Sequence, residues 1–208
     1  MINKYNKCWQ KAMNCTGYGN HDVEYSFKVV DKTITIAFQG STSKVDWLFN
    51  FFFLKIPYKN LKIPYKNMKK IFFVHSGFLA RWKYVRDEIL EKIDKYPGYK
   101  VKLRGYSQGS TTCLLAHEDI GWHTGVRPET VVFGCPRVFG FWHSKELKKR
   151  LSDVIRIENS NDIVPSLPWF WLGFRHYGKL IHIGKKRKLF RFSINGHSPR
   201  NYKASMEE

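Results

Sequence analysis

The chain has 208 residues, 43% of them hydrophobic and 16% aromatic, which excludes a disordered polymer and supplies enough apolar mass for one sizeable core. Its formal charge is +19, from 36 Lys and Arg against 17 Asp and Glu. Such a field draws anionic partners, be they lipid headgroups, nucleic acid or acidic polymers.

Met1 to Lys7 carry no apolar signal core, and no run is long enough to cross a membrane. The expectation is a cytoplasmic protein, or one released without a Sec signal. Cys8, Cys15, Cys113 and Cys135 contain no C-x-x-C pair, so neither a zinc site nor a thioredoxin-type site is suggested. In a reducing compartment they stay thiols.

In chain order, residues 1 to 16 read as a short helix, with Tyr5, Cys8, Trp9, Ala12 and Met13 on one face. Residues 25–30 and 33–38 read as a hairpin about an Asp31-Lys32 turn. The second strand ends in Gln39-Gly40-Ser41-Thr42, a small polar loop. Residues 43–56 are rich in large apolar side chains with little period, Trp47, Phe51, Phe52 and Phe53 among them. They read either as a core element or as a mobile flap or interfacial patch. The heptad Lys55-Ile56-Pro57-Tyr58-Lys59-Asn60-Leu61 is then repeated as Lys62 to Met68. Two copies with a proline in each make neither a coiled coil nor a solenoid, so an exposed basic loop is expected.

Residues 71–75 are strand-like, and Phe78, Trp82, Val85, Ile89 and Ile93 space out an amphipathic helix. Val101, Leu103 and Gly105 alternate into Gly105-Tyr106-Ser107-Gln108-Gly109, and a helix-like run follows from Thr111. Strand, sharp turn and helix are the context in which G-x-S-x-G presents a nucleophilic serine. The turn lifts the Ser107 hydroxyl clear of the sheet. The Gln108 amide opens the helix, where it would face a developing oxyanion. Residues 130–134 and 153–158 are further strands. Residues 180–183 and 189–193 read as a late hairpin. Helices alternating with strands give an α/β fold with a mainly parallel central sheet flanked by helices, an N-terminal hairpin and a lid-like segment. The whole of 1–208 reads as a single domain, with 43–70 as a lid-like, basic insertion.

A nucleophilic serine needs a base, and the base an orienting acid; in elbow enzymes they follow in the order Ser, Asp or Glu, His. Asp162 lies in a polar loop after a strand, where open sheets place reactive groups. Three histidines follow it. His182 sits within a strand and reads as structural. His176 and His197 both remain candidates, with the loop Asn195-Gly196-His197-Ser198-Pro199 favouring His197.

The order of these motifs resembles the class 3 lipase family, a fungal-lipase-like branch of the α/β-hydrolases. Ile36-Ala37-Phe38-Gln39-Gly40-Ser41 is similar to its oxyanion loop, Asp46-Trp47 to its Asp-Trp pair, and Val74-His75-Ser76-Gly77-Phe78 to its Val-His-x-Gly-Phe. The elbow, Gly134-Cys135-Pro136-Arg137-Val138, Asn161-Asp162-Ile163-Val164-Pro165, His176-Tyr177-Gly178 and His197 with Tyr202 continue the match. The resemblance implies Ser107, Asp162 and His197 as catalytic residues, Ser41 and Gln108 as oxyanion donors, and His176 as structural. It puts a lid after the oxyanion loop. The family's usual Gly-His-Ser-Leu-Gly-Gly is here Gly-Tyr-Ser-Gln-Gly-Ser, and its Arg after the oxyanion strand is Gln39.

The expected function is hydrolysis of acyl-lipid esters through an acyl-enzyme, without metal or cofactor. Trp169 and Trp171, with the Phe-rich stretch, would border the acyl pocket or meet the lipid surface. The cationic charge suggests an anionic membrane surface as partner, and a phospholipase A-type action on anionic phospholipid as the alternative. A non-catalytic basic protein binding surfaces or nucleic acid on the same scaffold is the reading from another class.

Overall fold

The computed structural model describes residues 2–14, 23–40, 55–58, 72–142, 144–185 and 194–207. Helix α1 (Ile2–Met13) precedes the hairpin β1 (Tyr25–Val30) and β2 (Thr33–Phe38). Short strands β3 (Lys55–Tyr58) and β4 (Phe72–His75) lead into α2 (Ser76–Asp94). The centre of the chain is β5 (Lys100–Tyr106), α3 (Gln108–Thr124) and β6 (Glu129–Phe133). Then come β7 (Phe139–Gly140), α4 (Ser144–Arg150), β8 (Ile155–Asn159), β9 (Phe174–Arg175), β10 (Lys179–Ile183) and α5 (Pro199–Glu207).

The main sheet has the order β1-β2-β5-β6-β8-β10. Only the β1–β2 pair is antiparallel; every other pair runs parallel. One face packs on α2 and α3 through residues such as Ile34, Ile36, Leu103, Trp82, Ile89 and Leu115. The other packs on α1 and α5 through Trp9, Tyr106, Phe133, Ile157 and Tyr202. Alternation along β5 makes this two-sided core: Val101 and Leu103 face the first layer and Tyr106 the second. Asp119 of α3 ties the first layer together. Its carboxylate accepts from Trp82 Nε1 at 2.9 Å and pairs with Arg86 at 2.5 Å, so neither buried charge is left alone.

A second, antiparallel sheet, β3-β4-β7-β9, does not follow from the sequence pattern. It corrects the reading of the heptad repeat as an exposed loop, because the first copy opens as strand β3. Pro57 opposes Phe73 on this edge strand, the place in a sheet where proline is tolerated. Ile56 packs against the main core. The second copy lies outside the described residues, as do Ser41, Trp47 and Phe51 to Phe53. Strand β10 pairs parallel to β8, and the second arm of the expected hairpin, at 189–193, lies outside the described residues.

Candidate active site

Ser107 stands between β5 and α3 with φ 54° and ψ −125°. A side chain held at positive φ costs about 1–3 kcal/mol and persists only where its surroundings enforce it. Two close approaches enforce it here. A Cβ on Gly109 would lie 2.3 Å from the Phe38 carbonyl oxygen, and one on Gly105 would lie 2.7 Å from the Gly109 carbonyl oxygen. Only glycine lets β2, β5 and the start of α3 pass so near one another. The Ser107 amide and the Ser110 hydroxyl both donate to the Phe133 carbonyl, at 2.9 Å each, which fixes the turn to the end of β6.

Three side chains from distant parts of the chain meet there. His197 Nε2 is 2.7 Å from Ser107 Oγ, and His197 Nδ1 is 2.7 Å from Asp162 Oδ2. The Asp162 carboxylate is buried and takes two more hydrogen bonds. The Tyr202 hydroxyl donates to Oδ2 at 2.6 Å, and the Val164 amide donates to Oδ1 at 2.9 Å. Tyr202 also accepts from the Asn159 amide at 3.3 Å, so one phenol ties the end of β8 to the acid. Burial, and secondarily the charge of Asp162, hold the Tyr202 proton well above its ordinary range. It therefore remains a donor across the working pH. Glu158, also mostly buried, is raised by desolvation; Arg156 opposes the shift and Asp162 adds to it.

The His197 ring is sandwiched into position. Tyr106 stacks on it, and the Tyr106 hydroxyl donates to the His197 carbonyl. Gly134, at φ 55°, passes beneath; a Cβ there would be 2.7 Å from His197 Cε1. Behind this pair, Trp9 of α1 stacks on Tyr202 at 5.5 Å and meets Tyr106 and Phe133 edge-on at 5.1 Å each.

His197, not His176, therefore faces the serine. His176 Nε2 bonds the Pro165 carbonyl at 2.6 Å and His182 Nε2 bonds the Ser160 carbonyl at 2.9 Å; both brace the loop that carries Asp162. The Gln108 amide begins α3, where the helix's own ladder leaves it open. Gly40, the last described residue of the opposing loop, passes close to Ser107: a Cβ on it would be 3.4 Å from Ser107 Cβ. Ser41 itself is outside the described residues. Trp169 is half-buried and stacks on Trp171 at 5.0 Å, while Trp171 is 64% exposed and so faces solvent rather than an enclosed pocket. A cleft of about 620 Å³ lies elsewhere, between α1 and the β1–β2–β5 face, lined by Lys7, Lys11, Lys28 and Lys102 among others. It sits toward the opposite end of β5 from Ser107. Among the described residues, no group of three His, Cys, Asp or Glu side chains could hold a metal ion.

The brace around the triad is what sequence reasoning missed. The amphipathic face of α1 was legible, but nothing in its spacing says that Trp9 backs the site. Tyr202 follows His197 by five residues on the first turn of a helix, a spacing that brings its hydroxyl back to the acid.

A serine on a strained elbow, an imidazole, a buried carboxylate and a mainly parallel sheet define a hydrolase-type fold and site. Residues 35–171 match the family described as Lipase (class 3), well over half of the chain, and the chain belongs to that family. It is 32% identical over 157 residues to a lipase of Rhizomucor miehei, covering 72% of this chain and 41% of that one. It is also 32% identical over 130 residues to lipase A of Sodiomyces alcalophilus, covering 54% and 31%. The solved Rhizomucor miehei triacylglyceride lipase superposes with a TM-score of 0.70 at 25% identity, over 88% of this chain and 80% of that one. The chain thus spans about two fifths or less of the length of these two curated relatives.

Proposed function

We propose that this protein is a serine hydrolase that cleaves acyl esters of lipids through an acyl-enzyme. The observation that carries the reading is the unbroken line from Ser107 Oγ to His197 Nε2 and from His197 Nδ1 to Asp162, with both distances 2.7 Å. Membership of the class 3 lipase family supports the same substrate class.

In this reading His197 Nε2 takes the hydroxyl proton as Ser107 Oγ attacks the ester carbonyl. Asp162 holds the Nδ1–H tautomer and stabilises the imidazolium that forms. The oxyanion is held by the Gln108 amide and by Ser41. Collapse expels the alcohol, which leaves with the proton from Nε2. Water, activated by the same nitrogen, then attacks the acyl-enzyme and returns Ser107. The described groups supply every proton transfer in this sequence.

The surplus of positive charge favours anionic phospholipid as a second substrate class. One experiment separates the readings. A fluorophosphonate should add one adduct to the intact protein at Ser107 and none to Ser107→Ala. Fatty-acid release from emulsified triacylglycerol is then compared with release from phosphatidylglycerol vesicles. Labelling with release from triacylglycerol supports the lipase, and labelling with release from phosphatidylglycerol alone supports the phospholipase. A folded protein that takes no label overturns both.

A further inference from the structure

We propose that Phe141 and Trp142, together with Phe170, Trp171 and Leu172, form a docking surface for an anionic phospholipid bilayer. The proposal rests on the lipid-ester reading of the site. Single exposed apolar residues are ordinary, but a contiguous set of aromatics is not. Trp142 is 55% exposed and Phe170 is 54% exposed. They belong to one patch, because the β7–β9 pairing brings the segments side by side and the Phe141 amide donates to the Gly173 carbonyl at 3.0 Å.

The rings are ordered without being covered. Phe141 stacks on Trp142 at 4.7 Å and Phe170 meets Trp171 edge-on at 5.2 Å. Arg175 bridges the two halves, its guanidinium 5.9 Å from the Phe141 ring and 5.7 Å from the Phe170 ring. Its hydrogen bonds to the Phe170 and Phe174 carbonyls, at 2.5 and 2.8 Å, hold it in the seam. Aromatic rings around a cation match the interfacial zone of a bilayer, where rings sit at headgroup depth and the cation meets phosphate.

Two further facts select this occupant. No acidic residue occurs in 137–145 or 163–179, so the two segments that carry the patch bring cations and no anions. A second copy of a chain charged +19 would be repelled from it, whereas an anionic bilayer is attracted.

The test uses the full chain carrying Ser107→Ala, so that vesicles stay intact. Co-sedimentation is measured with phosphatidylcholine vesicles and with vesicles containing phosphatidylglycerol. Phe141→Ser with Trp142→Ser should weaken binding to the anionic vesicles by at least about tenfold, the loss of two buried aromatic contacts. Arg175→Gln should weaken it about fivefold on anionic vesicles and leave neutral ones unchanged. Unchanged vesicle binding by the double variant overturns the proposal. So does a concentration-dependent dimer that the double variant dissolves in the absence of vesicle binding, which assigns the patch to a second copy. With Ser107 restored, retained hydrolysis of a short soluble ester shows that the double variant is folded. If the parent hydrolyses no ester, the hydrolase reading falls while the vesicle result still decides the docking surface.

Discussion

The phenol ring of Tyr106 lies against the imidazole of His197, with ring centroids 5.0 Å apart and planes 17° from parallel. The residue before the nucleophile thus touches the base that would deprotonate it. Burial, with a smaller push from Asp162, raises the Tyr106 hydroxyl far above its ordinary range, so it remains a neutral donor to the His197 carbonyl. Tyr106→Phe keeps the stack and loses one hydrogen bond, worth about 1 kcal/mol. Tyr106→Ala also frees the imidazole, and a misplacement of about 1 Å can cost about 100-fold in rate. The expected result is a few-fold loss of kcat for Phe and about tenfold to 100-fold for Ala, with KM nearly unchanged. Steady-state kinetics on a soluble ester check both.

Asp162 accepts three hydrogen bonds, and they should not count equally. Asp162→Asn reverses the donor at Nδ1 and favours the wrong tautomer, so kcat should fall about 10⁴-fold. Tyr202→Phe removes a bond to a charged acceptor, worth about 1.5–3 kcal/mol, and leaves the tautomer intact. Its kcat should fall about tenfold or somewhat more. Equal losses in the two variants would show that Asp162 acts through packing rather than through His197.

Trp9 is far from Ser107 in sequence yet backs the site. It is buried against Tyr106, Phe133 and Tyr202. Trp9→Ala should cost about 3–5 kcal/mol of stability, as large-to-small changes do in a packed core. Because Tyr106 and Tyr202 lose their support together, kcat should also fall. Urea unfolding and kinetics on the same sample check the pair of effects.

Two histidines predict an acid limit to stability. His117 Nδ1 is 2.9 Å from the Thr130 hydroxyl, and its Nε2 is 3.2 Å from the Arg150 carbonyl. Burial holds its pKa below 6.5, and burial followed by the charge of Arg156 holds His176 well below 6.5. Both are neutral in the fold and bind protons more readily when unfolded. Their contribution is therefore intact above pH 6.5 and is lost as pH falls from 6.5 through the folded pKa values. Each histidine adds a slope of up to about 1.4 kcal/mol per pH unit in that window. Unfolding free energies between pH 7.5 and 5 should fall accordingly, and His117→Gln should flatten the decline.

Periodicity made the main sheet legible because its central strands are buried on both faces and its helices are amphipathic. The elbow was legible because close backbone approach at Gly105 and Gly109 leaves a sequence mark. The chemistry each partner demands pointed to Ser107 and Asp162 and left His176 and His197 both open, and the family resemblance chose His197 between them. The second sheet was not: β7 and β9 have two residues each, too few to carry a period. Residues 141–142 gave no signal either, because they join the 169–172 segment only through the β7–β9 pairing. The brace of Trp9, Tyr106 and Tyr202 is tertiary in the same sense. Local spacing says which face of α1 is apolar, and only the fold says what that face meets.

The most direct measurement is hydrolysis of a short soluble ester by the wild type and Ser107→Ala side by side. Turnover by the wild type, falling about 10⁶-fold or to background in the mutant, is the expected result for a nucleophile that acts as one unit with its base. A wild type that turns over and a mutant that matches it would place the chemistry elsewhere and contradict the assignment of Ser107.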